Sequence, residues 1–351
     1  MPKSFLRKGL AGFMPYVPGQ QPSDDEDWVK LNTNESPLPP SPRVLEAIKA
    51  ATDESLRLYP SPTAAPARQA IARHFGLDQS QVTIGNGADE LIEMCLRAFV
   101  GAGDRVAYPT PTYPLLEPLL AIHEAVPSPN PTGEMFTWSS ELMDDPAPLK
   151  FLVNPNSPTG TWHGGASVER ALVRSQGVVV LDEAYVDFAP ESQLGLLAKH
   201  ENLLILRTLS KSYALAGMRI GFALGTPELI ADLDAVKDSY NVDRLAIVAA
   251  RAAIEDAEHH RKIVDHVVAE RVWLEEQLYE LGFEHSPSEA NFIFVKPSPG
   301  NSAAAVADAL RERRILVRHY DREPIAGWFR ITVGTRAQHE RLLEALKEIL
   351  I

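Results

Sequence analysis

The sequence has almost no cysteine, with Cys95 alone among 351 residues. An internal disulfide is thereby excluded, and such sparing use of thiols fits a reducing cytoplasm. Cys95 lies in an apolar stretch and reads as a buried core thiol. No run of roughly 18 apolar residues exists, so no helix is expected to span a bilayer. Met1 to Tyr16 lacks the continuous apolar core of a secretory signal peptide. A basic excess is missing too. The net charge of −13 argues against a nucleic-acid or membrane-surface partner, since either calls for a basic face. A few local cations would still suffice for an anionic substrate. The ten histidines show no metal-ligand spacing, and His259-His260 reads as a solvated pair on a polar helix. There is neither an internal repeat nor a long low-complexity tract.

What is present suits a globular enzyme with one large and one smaller domain: 45% hydrophobic residues and 23% charged. Residues 18–42, rich in Pro, Asp and Ser, read as an extended arm. Helices are expected over 43–51 and 66–75, the second closed by Gly76. Short apolar runs follow at Val82–Ile84, Arg105–Tyr108, Lys150–Val153, Val178–Leu181, Leu203–Leu206 and Ile220–Leu224. Turn and cap residues bound them, as expected of strands buried on both faces of a mostly parallel sheet. With helical stretches between most of them, they predict an α/β doubly wound domain. A long helical region runs from Pro227 to about Leu281. Strands are then expected at Phe292–Lys296, Ile315–Arg318 and Phe329–Val333, with helices at 302–313 and 336–350, which predicts a second, smaller α+β domain. The expected division is an N-terminal arm over 1–42, a large domain over 43–240 and a small C-terminal domain over 241–351. The arm is expected to pack with the small domain or with a partner subunit.

Open α/β sheets bind ligands beyond the carboxyl ends of their strands. Four strand ends carry candidate chemistry. Gly85-Asn86-Gly87-Ala88-Asp89-Glu90 opens a helix at 88–99, and a helix start offers free N–H groups to a phosphate. Alone, such a sequence is as well explained by a plain turn. Asn154-Pro155-Asn156-Ser157-Pro158-Thr159-Gly160 reads either as a rigid turn or as a loop whose small polar side chains reach a cofactor. Asp182 closes a buried strand, where a carboxylate is costly without a cation. A protonated pyridine nitrogen or Mg²⁺ would serve, or the aspartate caps the next helix. Lys211 sits in Thr208-Leu209-Ser210-Lys211-Ser212-Tyr213, with Arg219 eight residues on. An isolated lysine is normally a solvated charge. A desolvated one beside another cation has a lowered pKa and can form a Schiff base.

Taken together and in this order, the four segments resemble the fold-type I pyridoxal-phosphate (PLP) aminotransferases, and within them the histidinol-phosphate aminotransferase family. The resemblance covers essentially the whole chain. It begins at Gly12-Phe13-Met14-Pro15-Tyr16-Val17-Pro18-Gly19 and Leu31 to Pro37. It runs through Leu58-Tyr59-Pro60, Gly85 to Glu90 and Tyr108-Pro109-Thr110. Asp182 to Tyr185, Arg207 to Lys211, Tyr240-Asn241-Val242 and Arg330 to Thr335 complete it.

The resemblance implies PLP as cofactor, a PLP-transferase-like large domain, and a role for each matching residue. Lys211 matches the lysine that carries PLP, Asp182 the carboxylate paired with the pyridine nitrogen, and Tyr185 a donor to the ring 3-oxygen. Tyr113 matches the aromatic stacked on the ring. The phosphate would meet the helix start at Gly87, Ala88 and Asp89, the hydroxyls of Thr208 and Ser210, and Arg219. Tyr59 matches a residue reaching that phosphate from the other subunit, which implies a homodimer with shared sites. The family usually has Asn where this chain has Ser157, so either Ser157 touches the ring oxygen or Asn156 turns in to replace it. Arg330 matches the arginine that receives the substrate's carboxylate or phosphate, Arg318 a second cation there, and Tyr16 a tyrosine closing over the substrate. Asn34 falls on the substrate side as well.

The reaction so implied is the transamination of histidinol phosphate with 2-oxoglutarate to imidazole-acetol phosphate and L-glutamate, a step of histidine biosynthesis. Aromatic amino-acid aminotransferases and threonine-phosphate decarboxylases share the scaffold and most of these residues. A PLP-binding transcriptional regulator would need a basic DNA-binding segment, for which the charge is wrong and the chain ahead of the arm too short. A nucleotide-binding protein using Gly85 to Gly87 would show a G-x-G-x-x-G fingerprint or a G-x₄-G-K-[ST] loop, and neither is present.

Overall fold

The structure is a computed structural model that describes residues 5–10, 12–23 and 27–350. Strand β1 (Val29–Lys30) lies in the arm. Helix α1 (Pro42–Ala51) opens with Pro42 in its first turn, capped by the Ser41 hydroxyl. Helix α2 (Ala65–Phe75) stops at Gly76, whose φ of 66° is the left-handed conformation that ends helices. Then come β2 (Val82–Gly85), α3 (Ala88–Phe99), β3 (Arg105–Thr110), α4 (Leu116–Ile122), β4 (Val126–Pro131) and α5 (Ser140–Asp144). They are followed by β5 (Leu149–Val153), α6 (Gly165–Arg174), β6 (Val178–Asp182), β7 (Leu203–Thr208) and β8 (Gly221–Leu224). Three helices, α7 (Pro227–Val236), α8 (Arg244–Ile254) and α9 (Ala257–Glu280), lead to β9 (Glu284–His285) and β10 (Phe292–Lys296). The chain closes with α10 (Ala303–Glu312), β11 (Ile315–Leu316), β12 (Arg318–His319), β13 (Phe329–Thr332) and α11 (Arg336–Ile349).

Seven strands form one sheet in the order β2-β8-β7-β6-β5-β3-β4, parallel except for β8, which runs antiparallel to both neighbours. Alternation along the central strands sends Leu203 and Ile205 into one core and Leu204 and Leu206 into another. Both faces are buried, so these strands read as unbroken apolar runs. Each of the six expected strands of the large domain is present. The sequence reading missed β4 because of its prolines at 127, 129 and 131. It is the edge strand and, among the described residues, pairs only with β3. Prolines at every second position put their missing N–H groups on the outer side, where no partner asks for them.

A second sheet, β12-β13-β10-β9, is antiparallel, and β1 of the arm pairs in parallel with β11. The arm is thus tied to the C-terminal sheet region through Val29 and Ile315, both buried in one core. The helical region after Pro227 consists of three helices, and Lys237 adopts an extended conformation at the end of α7. Helix α8 lies beyond the expected boundary at 241, yet its Ala246, Ile247, Ala250 and Ile254 are buried in the core that holds Val44 of α1 and Ile71 of α2. Its small side chains let the three helices meet closely.

Gly177 leads into β6 under the carbonyl of Pro148, and a Cβ there would overlap that oxygen. Gly177→Ala is therefore expected to cost about 2–3 kcal/mol, read as a lower midpoint in urea unfolding at unchanged slope.

Candidate active site

The carboxyl ends of β5, β6 and β7 open on one cavity of about 190 Å³. Asp182 is the last residue of β6, in register with Val153 of β5 and Leu206 of β7. Its position at the centre of the sheet leaves it 4% exposed. It accepts the Ala184 N–H at 2.9 Å. Burial pushes its carboxyl up to about 7. The lysine loop leaves β7 and folds back on the start of β8: the Leu209 N–H donates to the Ile220 carbonyl at 3.0 Å, and the Thr208 hydroxyl to the same carbonyl at 3.2 Å. The Ser210 N–H donates to Thr208 Oγ1 at 3.1 Å. This fold sends Lys211 into the cavity, where its Nζ donates to the Thr33 carbonyl at 3.4 Å and stands 5.7 Å from the Tyr185 ring centroid. Burial, reinforced by the positive charge of Arg330, lowers its pKa to about 8. Near pH 8 a large fraction of the amine is neutral and able to attack a carbonyl.

One wall is the start of α3. Its first N–H groups have no partner within the helix, so they favour an anion. Gly87 caps the helix at φ 83°, and a Cβ there would meet Arg219 Nη2 at 2.7 Å. Gly221 faces the same turn, where a Cβ would stand 2.6 Å from the Ala88 nitrogen. Two glycines therefore keep open a cradle between Ala88, Asp89, Thr208, Ser210 and Arg219, all five on the cavity wall. Arg219 Nη2 donates to Asp89 Oδ2 at 3.1 Å, and the Tyr113 hydroxyl donates to Asp89 Oδ1 at the same distance. Tyr185 is buried, which raises its pKa, and its hydroxyl accepts from Asn34 Nδ2 at 3.0 Å.

The opposite wall comes from the second sheet and the arm. Arg318 on β12 and Arg330 on β13 are directly paired across the strands. Arg330 is 9% exposed and donates to the Asn32 carbonyl at 3.1 Å and to Ser157 Oγ at 3.3 Å. Arg318 donates to the Val17 carbonyl at 2.8 Å, and Tyr16 stands 6.2 Å from Tyr113, ring to ring. Tyr320, which the sequence reading passed over, lies under both guanidiniums at 5.7 and 5.9 Å. It follows Arg318 by two residues, a spacing that keeps side chains on one face of a strand. Asn32 and Thr33 were also missed. They directly precede Asn34 in the arm and line the cavity with it.

Of the residues singled out from sequence, Lys211, Asp182, Tyr185, Tyr113, Ala88, Asp89, Ser157, Thr208, Ser210, Arg219, Arg330, Arg318, Tyr16 and Asn34 line this cavity. Gly87 stands just behind its wall. Asn156 does not line it: its amide donates to the Pro111 carbonyl and Thr159 Oγ1 and accepts from the Thr112 hydroxyl, all within 3.0 Å. Asn156 therefore braces the loop, and Ser157 is the side chain turned inward. Tyr59 also lies outside the cavity, 77% exposed and stacked on Tyr240 at 4.5 Å.

A chain with this fold and this set of side chains has many counterparts. Residues 26–346 match the family described as aminotransferase class I and II. A histidinol-phosphate aminotransferase of Geotalea uraniireducens is 41% identical over 98% of this chain and 99% of its own length. One from Acetobacter pasteurianus is 45% identical over 96% and 95%. Among solved structures, the histidinol-phosphate aminotransferase of Sinorhizobium meliloti, in complex with pyridoxal-5'-phosphate, superposes with a TM-score of 0.86 at 29% identity, covering 92% of this chain and 90% of that one. The chain belongs to the class I and II aminotransferases, in the histidinol-phosphate aminotransferase family. The donor set of this aminotransferase fits PLP. The glycine cradle suits a phosphate, Asp182 is a buried carboxylate in want of a cation, and the lowered Lys211 amine suits an aldehyde.

A carboxyl whose folded pKa is raised stabilises the fold most below its unfolded pKa and loses that contribution as pH rises. The cofactor-free aminotransferase is thus expected to lose stability through Asp182 between about pH 4 and pH 7, by at most about 4 kcal/mol. Asp182→Asn should remove that slope and raise the melting temperature of the cofactor-free protein at pH 8, while weakening PLP binding. Melting curves with and without PLP across this pH range test both effects.

Proposed function

We propose that this aminotransferase uses PLP on Lys211 to convert histidinol phosphate and 2-oxoglutarate into imidazole-acetol phosphate and L-glutamate, as a cytoplasmic homodimer. The observation that carries the substrate is the near full-length identity of 41–45% to proteins named for it. The cavity supports it, with cations on two walls: Arg219 at the helix start, Arg330 and Arg318 opposite. A planar guanidinium takes a carboxylate or a phosphate equally well through paired hydrogen bonds. Support for the dimer comes from Leu56, Leu58, Tyr59 and Tyr240, each 46–77% exposed. Such an apolar surface is typical of an interface, and it would carry Tyr59 to the neighbouring subunit's cradle. Among the described residues no helix is long and apolar enough to cross a membrane.

The division of labour follows from placement. PLP supplies an aldehyde that accepts the amino group and a ring that takes up the electrons left on the substrate's α-carbon. Ala88, Asp89, Thr208, Ser210 and Arg219 would hold its phosphate. Asp182 would hold the proton on the ring nitrogen, which returns a cation to its carboxylate. Tyr185 would donate to a ring oxygen, with Asn34 fixing the phenol from behind. Tyr113 would cover one face of the bound ring. As a free amine, Lys211 would take the substrate's α-proton as base and would give a proton back as acid. Arg330 and Arg318 hold the anionic end of the substrate, and Tyr16 of the arm shields it from water.

Absorbance of the PLP-loaded protein tests the reading. A visible band should appear and be bleached by L-glutamate and by L-histidinol phosphate, with L-phenylalanine far slower. Lys211→Ala should lose the response and lower turnover by roughly 10⁴-fold. A visible band that phenylalanine bleaches faster would move the substrate to the aromatic amino acids. No band after incubation with PLP, or an unchanged Lys211→Ala variant, would overturn the proposal.

A further inference from the structure

Behind the cavity lies a buried charge network that touches the chain neighbours of the functional side chains. Arg207, which precedes Thr208, donates from Nη1 to Glu183 Oε2 at 3.2 Å and from Nη2 to Asp187 Oδ1 at 3.0 Å. Glu183 follows Asp182. Ser212, the residue after Lys211, donates its hydroxyl to Asp187 Oδ2 at 2.5 Å. His260 of α9 stands 3.3 Å from the same oxygen, its ring stacked on Tyr213 at 4.1 Å. Asp187 itself belongs to the short turn 186–188 that follows Tyr185. None of these side chains lines the cavity. Burial acts to raise the Asp187 carboxyl, yet Arg207 and His260 hold it well below the usual carboxylate range. It is therefore an ionised acceptor at any working pH.

Buried ion pairs contribute little net stability compared with apolar packing, so stability alone is a weak reason for such a cluster. Geometry is a stronger one. Asp187 is the atom set on which three segments converge: the end of β7 through Arg207, the lysine loop through Ser212, and α9 through His260. As base and then acid, the Lys211 amine would have to take a proton at one position and give it back at another while its backbone stays put. A hydrogen bond from the very next residue to a fixed carboxylate meets that need. We propose that Asp187 is a positioning residue, which pins the backbone of Lys211 through Ser212 and ties the lysine loop to α9 through His260. The proposal rests on Lys211 being the lysine that carries the cofactor.

Asp187→Asn and Ser212→Ala in the PLP-loaded protein test it, with Glu270→Gln as a control. Glu270 also lies on α9, but its carboxylate pairs with Arg336 and His339 and with no side chain of this network, so its loss destabilises the helix without breaking these hydrogen bonds. Four quantities are read: bound PLP per chain, the pH midpoint of the visible band without substrate, the single-turnover rate constant with L-glutamate, and the melting temperature. Both network variants should keep their PLP yet shift the pH midpoint by about half a unit or more. Their rate constants should fall between about tenfold and 100-fold, as expected of a small misplacement of the amine, at nearly unchanged glutamate affinity. Glu270→Gln should lower only the melting temperature. If Asp187→Asn does not fold, Ser212→Ala decides alone. Network variants that melt lower but keep the wild-type midpoint and rate constant would overturn the proposal. Wild-type protein without PLP would instead refute the underlying reading of Lys211.

Discussion

Asp182 is buried at the centre of the main sheet, and among the described residues no side chain forms an ion pair with it. Everything else in the site is arranged around that imbalance. An unpaired carboxylate at the end of an interior strand is pushed toward its protonated form, and the protein bears this cost in its cofactor-free state. Lys211 faces the complementary difficulty across the same cavity. Burial and the nearby Arg330 drive its ammonium toward the neutral amine. One group is held in want of a cation and the other in readiness for an aldehyde. A single bound ring that offers both a protonated nitrogen and a carbonyl relieves the two together.

The sheet explains how two such groups come to face each other. Parallel strands β5, β6 and β7 deliver their carboxyl ends to one edge. The antiparallel return of β8 then brings Arg219 and Gly221 back beside the start of α3. That reversal builds the anion cradle from segments some 130 residues apart in sequence, the separation of Asp89 and Arg219. The substrate wall depends on the second sheet, where direct pairing of Arg318 with Arg330 doubles the positive charge. The arm contributes by adding β1 to β11. It thereby fixes Asn32, Thr33 and Asn34 over the lysine.

The central strands were legible because burial on both faces writes them as unbroken apolar runs, and the four polar strand ends became legible only together, in the order that resembles the family, since each alone reads as well as a turn, a cap or a solvated charge. The edge strand β4 was not, since its three prolines argue against a strand until its outer side is known to be free. The choice between Asn156 and Ser157 also lay beyond the sequence. Both are small and polar, and only the hydrogen bonds of Asn156 to Pro111, Thr112 and Thr159 show which one faces inward. Tyr320 escaped for a related reason: the expected strand Ile315–Arg318 is in fact two short strands, and its register with β13 is a tertiary matter. The placement of α8 on α1 and α2 is likewise written in packing and not in any local signal.

The most direct measurement is the identity of the lysine that joins the cofactor. PLP-loaded protein would be reduced with borohydride, which makes the link between amine and aldehyde permanent, then digested and mapped by mass spectrometry. A competing lysine is Lys150, fully buried, whose Nζ donates to the Met143 carbonyl at 2.5 Å and which does not line the cavity. We expect one modified residue per chain, Lys211, with Lys150 untouched. Modification at Lys150 or at scattered surface lysines, with Lys211 unmodified, would contradict the central claim.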